Sequence, residues 1–330
     1  MWLLLRPEAK PDALLAYLSE KAIPAHALQL GERWAIEIIP NGYLPEAFLR
    51  WEEVEKVIGP PRGAPLVTQW KGELSLGAWQ RGKGPLWIAG PCSVEEKSSL
   101  LSLATDLQAV GVHILRGGAF KARTSPYAFQ GWGEKALDWL VEARALTGLP
   151  LCVEVISEKH LSLYAERNVD LLQIGARNMD NYWLLKETGN LGKPILLKRN
   201  PQATLEEWLL AAEYLLLSGA PGVLLCERGI RTFDRTLRYT FDIGILPVLA
   251  HDTSLPRIAD PSHAAGHWRY VEPLALAALA AGAEGLIVEV HPDPLSARSD
   301  ATQQLTLSQF TALLEKANSL YTTLHPISPA

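Results

Sequence analysis

Six cationic side chains stand at or just after short apolar runs that have the composition of buried strands. They are Arg116, Lys121, Arg123, Arg177, Lys198 and Arg228. Arginine and lysine are common ligands of phosphate groups, and cations gathered in one cleft repel one another unless an anion lies among them. If the six side chains lie on one rim of the fold, they predict a binding site for one or two phosphorylated substrates. The alternative is a solvated face with incidental basic residues.

A second set combines a thiol, an imidazole and two carboxylates, and it consists of Cys92, His263, Glu289 and Asp300. A mixed sulfur, nitrogen and oxygen donor set suits a divalent transition metal better than calcium or magnesium. Because a lone cysteine is often a small core residue and the four lie far apart in sequence, the residues alone leave metal binding and ordinary packing as equal alternatives. Cys152 and Cys226 lie inside apolar runs, and we interpret both as structural thiols.

The elements that must position these residues alternate from residue 86 onward. Strands are predicted at 86–89, 112–115, 151–155, 171–174, 195–198, 222–226, 246–250 and 285–290, with helices between them, including a short one at 235–239. Eight βα units in succession predict a (β/α)8 TIM barrel, and a doubly wound open sheet is the alternative. In a barrel, catalytic groups lie at the carboxyl ends of the strands, and the first and eighth strands are neighbours.

The segment before residue 86 has a different pattern. Residues 2–5, 25–30, 33–39 and 54–58 are predicted strands, and 11–21 and 45–51 are predicted helices. This β-α-β-β-α-β order predicts a small ferredoxin-like α+β domain. We therefore predict that domain at residues 1–58, a linker and lead-in at 59–85, the barrel at 86–320 and a C-terminal tail at 321–330.

Length and charge agree with this division. A barrel takes about 250 residues and leaves about 80 for a small domain. The net charge is −5, from 31 Lys and Arg against 36 Asp and Glu, which argues against a nucleic-acid partner without excluding a local cationic pocket. Three cysteines are too few for a disulfide scaffold. No signal peptide or membrane-length apolar run is visible, so we expect a cytoplasmic protein without a membrane partner.

Motifs along the barrel resemble those of the 3-deoxy-D-arabino-heptulosonate 7-phosphate (DAHP) synthases. The matching stretches are IAGPCS at 88–93, LRGGAFK at 115–121, RTSPY at 123–127, GARNM at 175–179, LKR at 197–199, CERGIRT at 226–232, DPSHA at 260–264, EVHP at 289–292 and SD at 299–300. The resemblance runs from about residue 84 to residue 320. The N-terminal segment resembles the ferredoxin-like, ACT-like regulatory domain of one branch of this family.

The resemblance implies a metal-dependent enzyme that condenses phosphoenolpyruvate with erythrose 4-phosphate, the first step of the shikimate pathway to aromatic amino acids. It implies that the metal ligands are Cys92, His263, Glu289 and Asp300. It implies that phosphoenolpyruvate is held by Arg116, Lys121, Arg177, Lys198 and Arg228, and that the aldose phosphate meets Arg123, Thr124 and Ser125. A cysteine thiolate favours a softer metal, namely Mn, Fe, Co or Zn.

Lys121 and Glu154 are the candidate catalytic residues. We expect Lys121 to donate or shuttle a proton, because burial among cations would lower its pKa. We expect Glu154 to orient the attacking water. Three positions depart from the family pattern: Ala122 stands where proline is usual, and Asn200 and Ala301 stand where glycine is frequent. The last two must avoid positive φ or adopt it at a cost. These departures bear on aldose affinity and not on the chemistry.

Other functions stay open at this point. The nearest is 3-deoxy-manno-octulosonate 8-phosphate synthase, which uses the same donor with a five-carbon aldose phosphate; the stretch RTSP at 123–126 and the N-terminal domain favour erythrose 4-phosphate. A Schiff-base aldolase with Lys121 or Lys198 as nucleophile and a non-enzymatic anion-binding barrel are the others. The N-terminal domain is expected either to bind an aromatic amino acid as an allosteric effector or to stabilise a homodimer or homotetramer.

Overall fold

The chain divides into two compact units, Met1–Pro65 and Leu66–Ala330, in the computed structural model. The structure describes residues 2–30, 33–38, 51–58, 64–123 and 125–324. Among these residues, none of the helices has both the length and the apolar character that crossing a bilayer would require.

The N-terminal unit is built on a four-stranded antiparallel sheet. Its elements are β1 (Trp2–Leu5), α1 (Asp12–Glu20), β2 (Ala25–Leu30), β3 (Arg33–Ile38) and β4 (Val54–Ile58), and the sheet order is β2-β3-β1-β4. Leu14 and Leu18 of α1 are buried with Leu3, Leu5 and Ile36 of the sheet. This strand order agrees with the ferredoxin-like plan. The predicted helix at 45–51 falls outside the described residues except for its last position.

The second unit is a closed barrel of eight parallel strands. They are β5 (Leu86–Gly90), β6 (Ile114–Arg116), β7 (Leu151–Val155), β8 (Leu171–Ile174), β9 (Ile195–Lys198), β10 (Val223–Glu227), β11 (Arg257–Ala259) and β12 (Gly285–Glu289). The barrel closes where β12 pairs with β5, with Glu289 opposite Gly90. The (β/α)8 TIM barrel prediction is thus confirmed, and the open sheet is excluded.

Helices surround the barrel. They are α2 (Pro65–Gln69), α3 (Lys97–Ala109), α4 (Glu134–Thr147), α5 (Leu161–Glu166), α6 (Tyr182–Gly189), α7 (Leu205–Leu217), α8 (Ile245–Asp252), α9 (Pro261–Ala265), α10 (Trp268–Ala280) and α11 (Leu307–Leu324). The interior of the barrel is apolar and includes Cys152 and Cys226. Burial raises the pKa of Cys152 to about 12 and that of Cys226 well above its usual value, so both thiols are protonated structural groups.

The seventh strand was predicted in the wrong place. Residues 245–252, which include the predicted strand at 246–250, form the helix α8, and the strand is instead β11, only three residues long. Pro247 lies in the first turn of α8, where a missing N–H costs nothing, whereas a central strand does not tolerate proline. The helix predicted at 235–239 is also wrong, because this segment has no helical structure.

Candidate active site

A cavity of about 390 Å³ opens at the carboxyl ends of the barrel strands. Its lining includes all six cations that the sequence placed on one rim: Arg116, Lys121, Arg123, Arg177, Lys198 and Arg228. Ser125, Glu154, His263 and Asp300 line the same cavity. Thr124 lies outside the described residues. The structure therefore brings the predicted cationic set and part of the predicted metal set into one cleft.

Most buried cations of the cavity are held by acceptors of the protein itself. Arg116 Nη1 donates to Glu289 Oε1 at 2.8 Å, and the Lys198 ammonium donates to Asp260. Lys121 Nζ donates to the backbone carbonyl of Cys92 at 3.1 Å. These contacts fix the cationic side chains before any ligand arrives, which reduces the ordering cost of anion binding.

The predicted metal ligands form a crowded corner of this cavity. Cys92 Sγ donates to Asp300 Oδ2 at 3.3 Å, and the ligand atoms of Cys92, Glu289 and Asp300 all lie within 4.8 Å of one another. His263 Nε2 lies 3.5 Å from Glu289 Oε1 and 4.0 Å from Asp300 Oδ2. Donor atoms bound to one tetrahedral metal lie roughly 3.3–3.8 Å apart, given bonds of about 2.0–2.3 Å. Cys92, Glu289 and Asp300 thus fit a single transition-metal ion, and His263 lies next to two of these three residues.

The closure of the barrel places Cys92 and Asp300 side by side. The backbone N–H of Val290, just past β12, donates to the Gly90 carbonyl at 2.9 Å. Beyond that point Gln304 Oε1 accepts from the N–H of Cys92 at 3.0 Å, and Gln304 Nε2 donates to the Ser299 carbonyl at 2.9 Å. The loops after the first and eighth barrel strands are thereby held together, as the predicted neighbourhood of these strands requires.

The short helix α9 positions His263. Asp260 caps its N-terminus by accepting from the N–H of His263 at 3.0 Å, with Pro261 in the first turn. The other carboxylate oxygen of Asp260 lies 2.8 Å from His263 Nδ1. A carboxylate on one ring nitrogen orients the imidazole and leaves the other nitrogen for a metal. Burial lowers the pKa of His263 more than Asp260 raises it, which favours the neutral ring that metals bind.

The carboxylates of the corner are ionised, while the thiol is not in the absence of a cation. Burial raises the pKa of Glu289, but the charges of His263, Arg116 and Lys121 lower it by a larger amount. The net result is a pKa well below the usual range of a glutamate. Burial and Glu289 raise the pKa of Cys92 to about 12, against the opposing charge of Lys121. A further cation, beyond Lys121 and Arg116, is therefore needed for Cys92 to become a thiolate. A divalent metal meets this requirement.

One expectation about Lys121 is wrong. We expected burial among cations to lower its pKa, and the pKa is raised instead. Burial and Arg116 lower the pKa of Lys121, but Glu154 and Glu289, together with the Cys92 sulfur when it is ionised, raise it by more. Lys121 is therefore a charged acid at neutral pH, which suits a proton donor.

Glu154 reaches the cavity because its neighbour is a glycine. A Cβ atom at position 175 would lie 1.9 Å from Glu154 Oε1, so Gly175 alone leaves room for the carboxylate. Tyr164 Oη donates to the Glu154 backbone carbonyl at 2.9 Å and fixes this end of β7. The carboxylate is thus placed where it can orient a water in the cavity.

The departures from the family pattern are accommodated without strain at the substituted positions. Neither Asn200 nor Ala301 has a positive φ. The left-handed conformation is instead adopted by Asp300, whose φ is 45°. Asn200 uses its side chain locally, with Nδ2 donating to Asp180 at 2.6 Å and Oδ1 accepting from the Gln202 N–H at 3.0 Å. Arg177 Nη1 donates to the Ala122 carbonyl at 3.4 Å.

Sequence reasoning missed two residues of the cavity, Arg238 and Tyr239. The Tyr239 ring lies under the Arg228 guanidinium, 4.3 Å from ring centroid to Cζ. Arg238 Nη1 donates to Gln303 Oε1 at 2.7 Å, and Gln303 Nε2 in turn donates to Glu289 Oε2 at 2.7 Å. Both residues were assigned to the predicted helix at 235–239 and were therefore not considered as part of the site. Their actual position depends on tertiary backbone contacts.

A model described as the DAHP synthetase I family matches residues 75–325. The chain belongs to the DAHP synthetase I family. A Thermotoga maritima protein named phospho-2-dehydro-3-deoxyheptonate aldolase is 48% identical over 233 residues, which are 71% of this chain and 69% of that protein. A Bradyrhizobium protein named 2-dehydro-3-deoxyphosphooctonate aldolase is 31% identical over 69% of this chain and 85% of its own length.

Solved structures agree with the family. The crystal structure of a Thermotoga maritima phospho-2-dehydro-3-deoxyheptonate aldolase (DAHP synthase) matches with a TM-score of 0.78 at 39% identity, covering 98% of each chain. A truncated form of 3-deoxy-D-arabino-heptulosonate 7-phosphate synthase from the same organism matches with a TM-score of 0.73 at 42% identity, covering 79% of this chain and 98% of its own. The likeness therefore includes both units of the chain.

Proposed function

We propose that the chain condenses phosphoenolpyruvate with erythrose 4-phosphate and water to give DAHP and inorganic phosphate. The observation that carries this proposal is the shared cavity, in which six predicted phosphate-binding cations lie beside a metal donor set of Cys92, Glu289 and Asp300, with His263 next to it. An aldol-like condensation of two phosphorylated substrates needs both. Membership of the DAHP synthetase I family supports the same reaction.

The cations divide between the two substrates. Arg116, Lys121, Arg177, Lys198 and Arg228 hold the carboxylate and phosphate of phosphoenolpyruvate. Arg123, Thr124 and Ser125 meet the phosphate of the aldose. Both Arg123 and Ser125 line the cavity, and forked guanidinium groups suit the oxygens of carboxylates and phosphates.

The chemistry begins when the methylene carbon of phosphoenolpyruvate attacks the aldehyde carbon and forms the new carbon–carbon bond. Lys121, which is protonated at neutral pH, donates a proton to the aldehyde oxygen. Glu154 orients a water that adds to the cationic C-2, and phosphate then leaves with cleavage of its carbon–oxygen bond. A divalent metal held by Cys92, His263, Glu289 and Asp300 would supply Lewis acidity at the aldehyde oxygen. The thiol ligand favours Mn, Fe, Co or Zn.

The length of the aldose is the sharpest test of the reaction. The relative named for the seven-carbon product is 48% identical to this chain, and the one named for the eight-carbon product is 31% identical. Enzyme supplied with phosphoenolpyruvate should release phosphate at least tenfold faster with erythrose 4-phosphate than with a five-carbon aldose phosphate. A preference for the five-carbon substrate would contradict the proposal. Trapping of a substrate on lysine by borohydride would indicate a Schiff-base aldolase instead.

The N-terminal unit is proposed to be regulatory, with an aromatic amino acid, Tyr or Phe, as effector and a homodimer or homotetramer as the working form. Its four-stranded sheet order supports a ferredoxin-like domain. Removing residues 1–65 should abolish inhibition by Tyr or Phe while condensation continues. Equal inhibition of the full and shortened chains would contradict this role, and a folding check by circular dichroism accompanies the comparison.

The proposed location is the cytoplasm. All three cysteines are free thiols in the structure, as reducing compartments allow, and both proposed substrates are phosphorylated intermediates. No nucleic-acid or membrane partner is part of the proposal.

A further inference from the structure

Arg228 differs from the other buried arginines of the barrel. Arg116 is paired with Glu289 at 2.8 Å, and Arg199 with Glu227 at 3.1 Å and Asp242 at 2.8 Å. Arg228 is 5% exposed, its Nε has no hydrogen-bond partner, and no carboxylate among the described residues forms an ion pair with it. A buried cation without a counter-ion is costly unless something else stabilises it.

The aromatic ring of Tyr239 is the group that stabilises Arg228. The guanidinium lies over the ring at 4.3 Å, within the range of a cation–π interaction. A carboxylate in the same place would occupy the in-plane N–H groups and neutralise the charge. The neutral Tyr239 side chain carries no charge that would neutralise the guanidinium, and its hydrogen bond with Arg228 engages only part of the five N–H donors of an arginine.

The backbone around Tyr239 holds the ring in place. The Tyr239 N–H donates to the Ala264 carbonyl at 3.0 Å, and Ile230 and Thr240 exchange two backbone hydrogen bonds of 2.8 and 3.0 Å. Gly229, at φ +96°, permits the approach, since a Cβ there would lie 2.5 Å from Tyr239 Cβ. The ring is therefore placed by the fold before any substrate arrives.

We propose that Tyr239 is a positioning residue, which holds the Arg228 guanidinium chiefly through its aromatic ring and leaves the positive charge for an anionic oxygen of phosphoenolpyruvate. The inference rests on the proposed function, since it deepens the part played by Arg228. Tyr239 acts through Arg228 and takes no part in bond formation.

The first test compares variants of position 239 by calorimetric titration with phosphoenolpyruvate and by steady-state kinetics. Tyr239→Leu should weaken phosphoenolpyruvate binding about tenfold, between the values of an exposed and a desolvated cation–π contact, and raise KM for phosphoenolpyruvate with a smaller change in kcat. Tyr239→Phe keeps the ring and should recover most of that affinity. Phe233→Leu, on an exposed side chain of the same segment, should bind like the wild type. Tyr239→Met is a second ring-free variant should the leucine variant be unstable.

The second test shows whether Tyr239 works through Arg228. In an Arg228→Ala background, Tyr239→Leu should cause no further loss of phosphoenolpyruvate affinity, because the group that the ring holds is gone. An equal loss in both backgrounds would overturn the inference and leave the proposed function intact, as would wild-type affinity in Tyr239→Leu. Wild-type affinity in Arg228→Ala alone would remove Arg228 from the substrate site and overturn the inference with it.

Discussion

The two sides of the cavity carry opposite charge, and the protein neutralises them to different degrees. On the metal side, Glu289 already accepts from Arg116 and Gln303 at 2.8 and 2.7 Å. On the substrate side, Arg228 lies against the uncharged ring of Tyr239, and no carboxylate among the described residues forms an ion pair with it. Partners from the protein fix a side chain and reduce its net charge, whereas an aromatic face fixes it and preserves the charge. Among the buried cations proposed to bind phosphoenolpyruvate, Arg228 therefore keeps the most charge for a ligand, whereas Arg116, Lys121 and Lys198 are oriented by protein acceptors.

Asp260 contacts both sides. Its carboxylate accepts from Lys198 on the substrate side and lies 2.8 Å from His263 Nδ1 on the metal side. Burial raises the pKa of Asp260, but His263 and Lys198 lower it by a larger amount. The net result is a pKa well below the usual range of an aspartate. The carboxylate therefore stays ionised and orients one residue of each set at once.

The largest expected effect comes from removing a metal ligand. Asp300→Asn takes away an anionic donor and leaves Cys92 without its acceptor, so bound metal and condensation rate should each fall more than about a hundredfold. Phosphoenolpyruvate affinity should fall far less if the two sides are separate. Metal analysis by mass spectrometry and a rate assay measure this. Asp293→Asn, in the same loop and exposed, is the control, and unchanged metal content in Asp300→Asn would refute the ligand assignment.

A smaller effect, felt on both sides, is expected for Asp260→Asn. The substitution leaves Lys198 without its counter-ion and His263 without its orienting carboxylate, so metal affinity and phosphoenolpyruvate affinity should each weaken about thirtyfold. Titrations with Mn²⁺ and with phosphoenolpyruvate report the two sides separately. Asp106→Asn on an exposed face of α3 is the matched control. A response on one side alone would show that Asp260 does not join them.

The smallest effect is expected for Gln303→Leu. Gln303 is buried and joins Arg238 to Glu289, so its loss should weaken Mn²⁺ binding about tenfold, as for other outer partners of metal ligands. At saturating Mn²⁺ the rate should approach that of the wild type. Gln202→Leu, which replaces an exposed glutamine, should bind Mn²⁺ normally. If Gln303→Leu also does so, Glu289 is held by Arg116 alone.

Much of the barrel followed from sequence because buried parallel strands are continuous apolar runs. Seven of its eight strands were found close to their positions in the structure. The seventh strand was misplaced because the longer apolar run at 246–250 was taken for it instead of the three residues of β11; β6 is equally short but overlaps the apolar run predicted at 112–115. Pro247 was the signal against a central strand there.

The cations of the cavity were predictable for a different reason: each stands at a strand end, and a barrel gathers those ends at one face. Arg238 and Tyr239 follow no strand. Backbone hydrogen bonds to Ala264 and Ile230 place their segment. Because these are tertiary contacts, the residues next to Arg238 and Tyr239 in sequence do not reveal that the two side chains line the cavity. The departures at Asn200 and Ala301 carried no backbone cost, because the left-handed conformation belongs to Asp300.

The central claim is that a metal on one side of the cavity and anionic substrates on the other react together. The most direct test is phosphate release from phosphoenolpyruvate plus erythrose 4-phosphate by enzyme of measured metal content, before and after a chelator. Chelated enzyme should form no product, and about one Mn²⁺ per chain should restore the rate, since four donors surround one position. Full activity in metal-free enzyme would contradict the account.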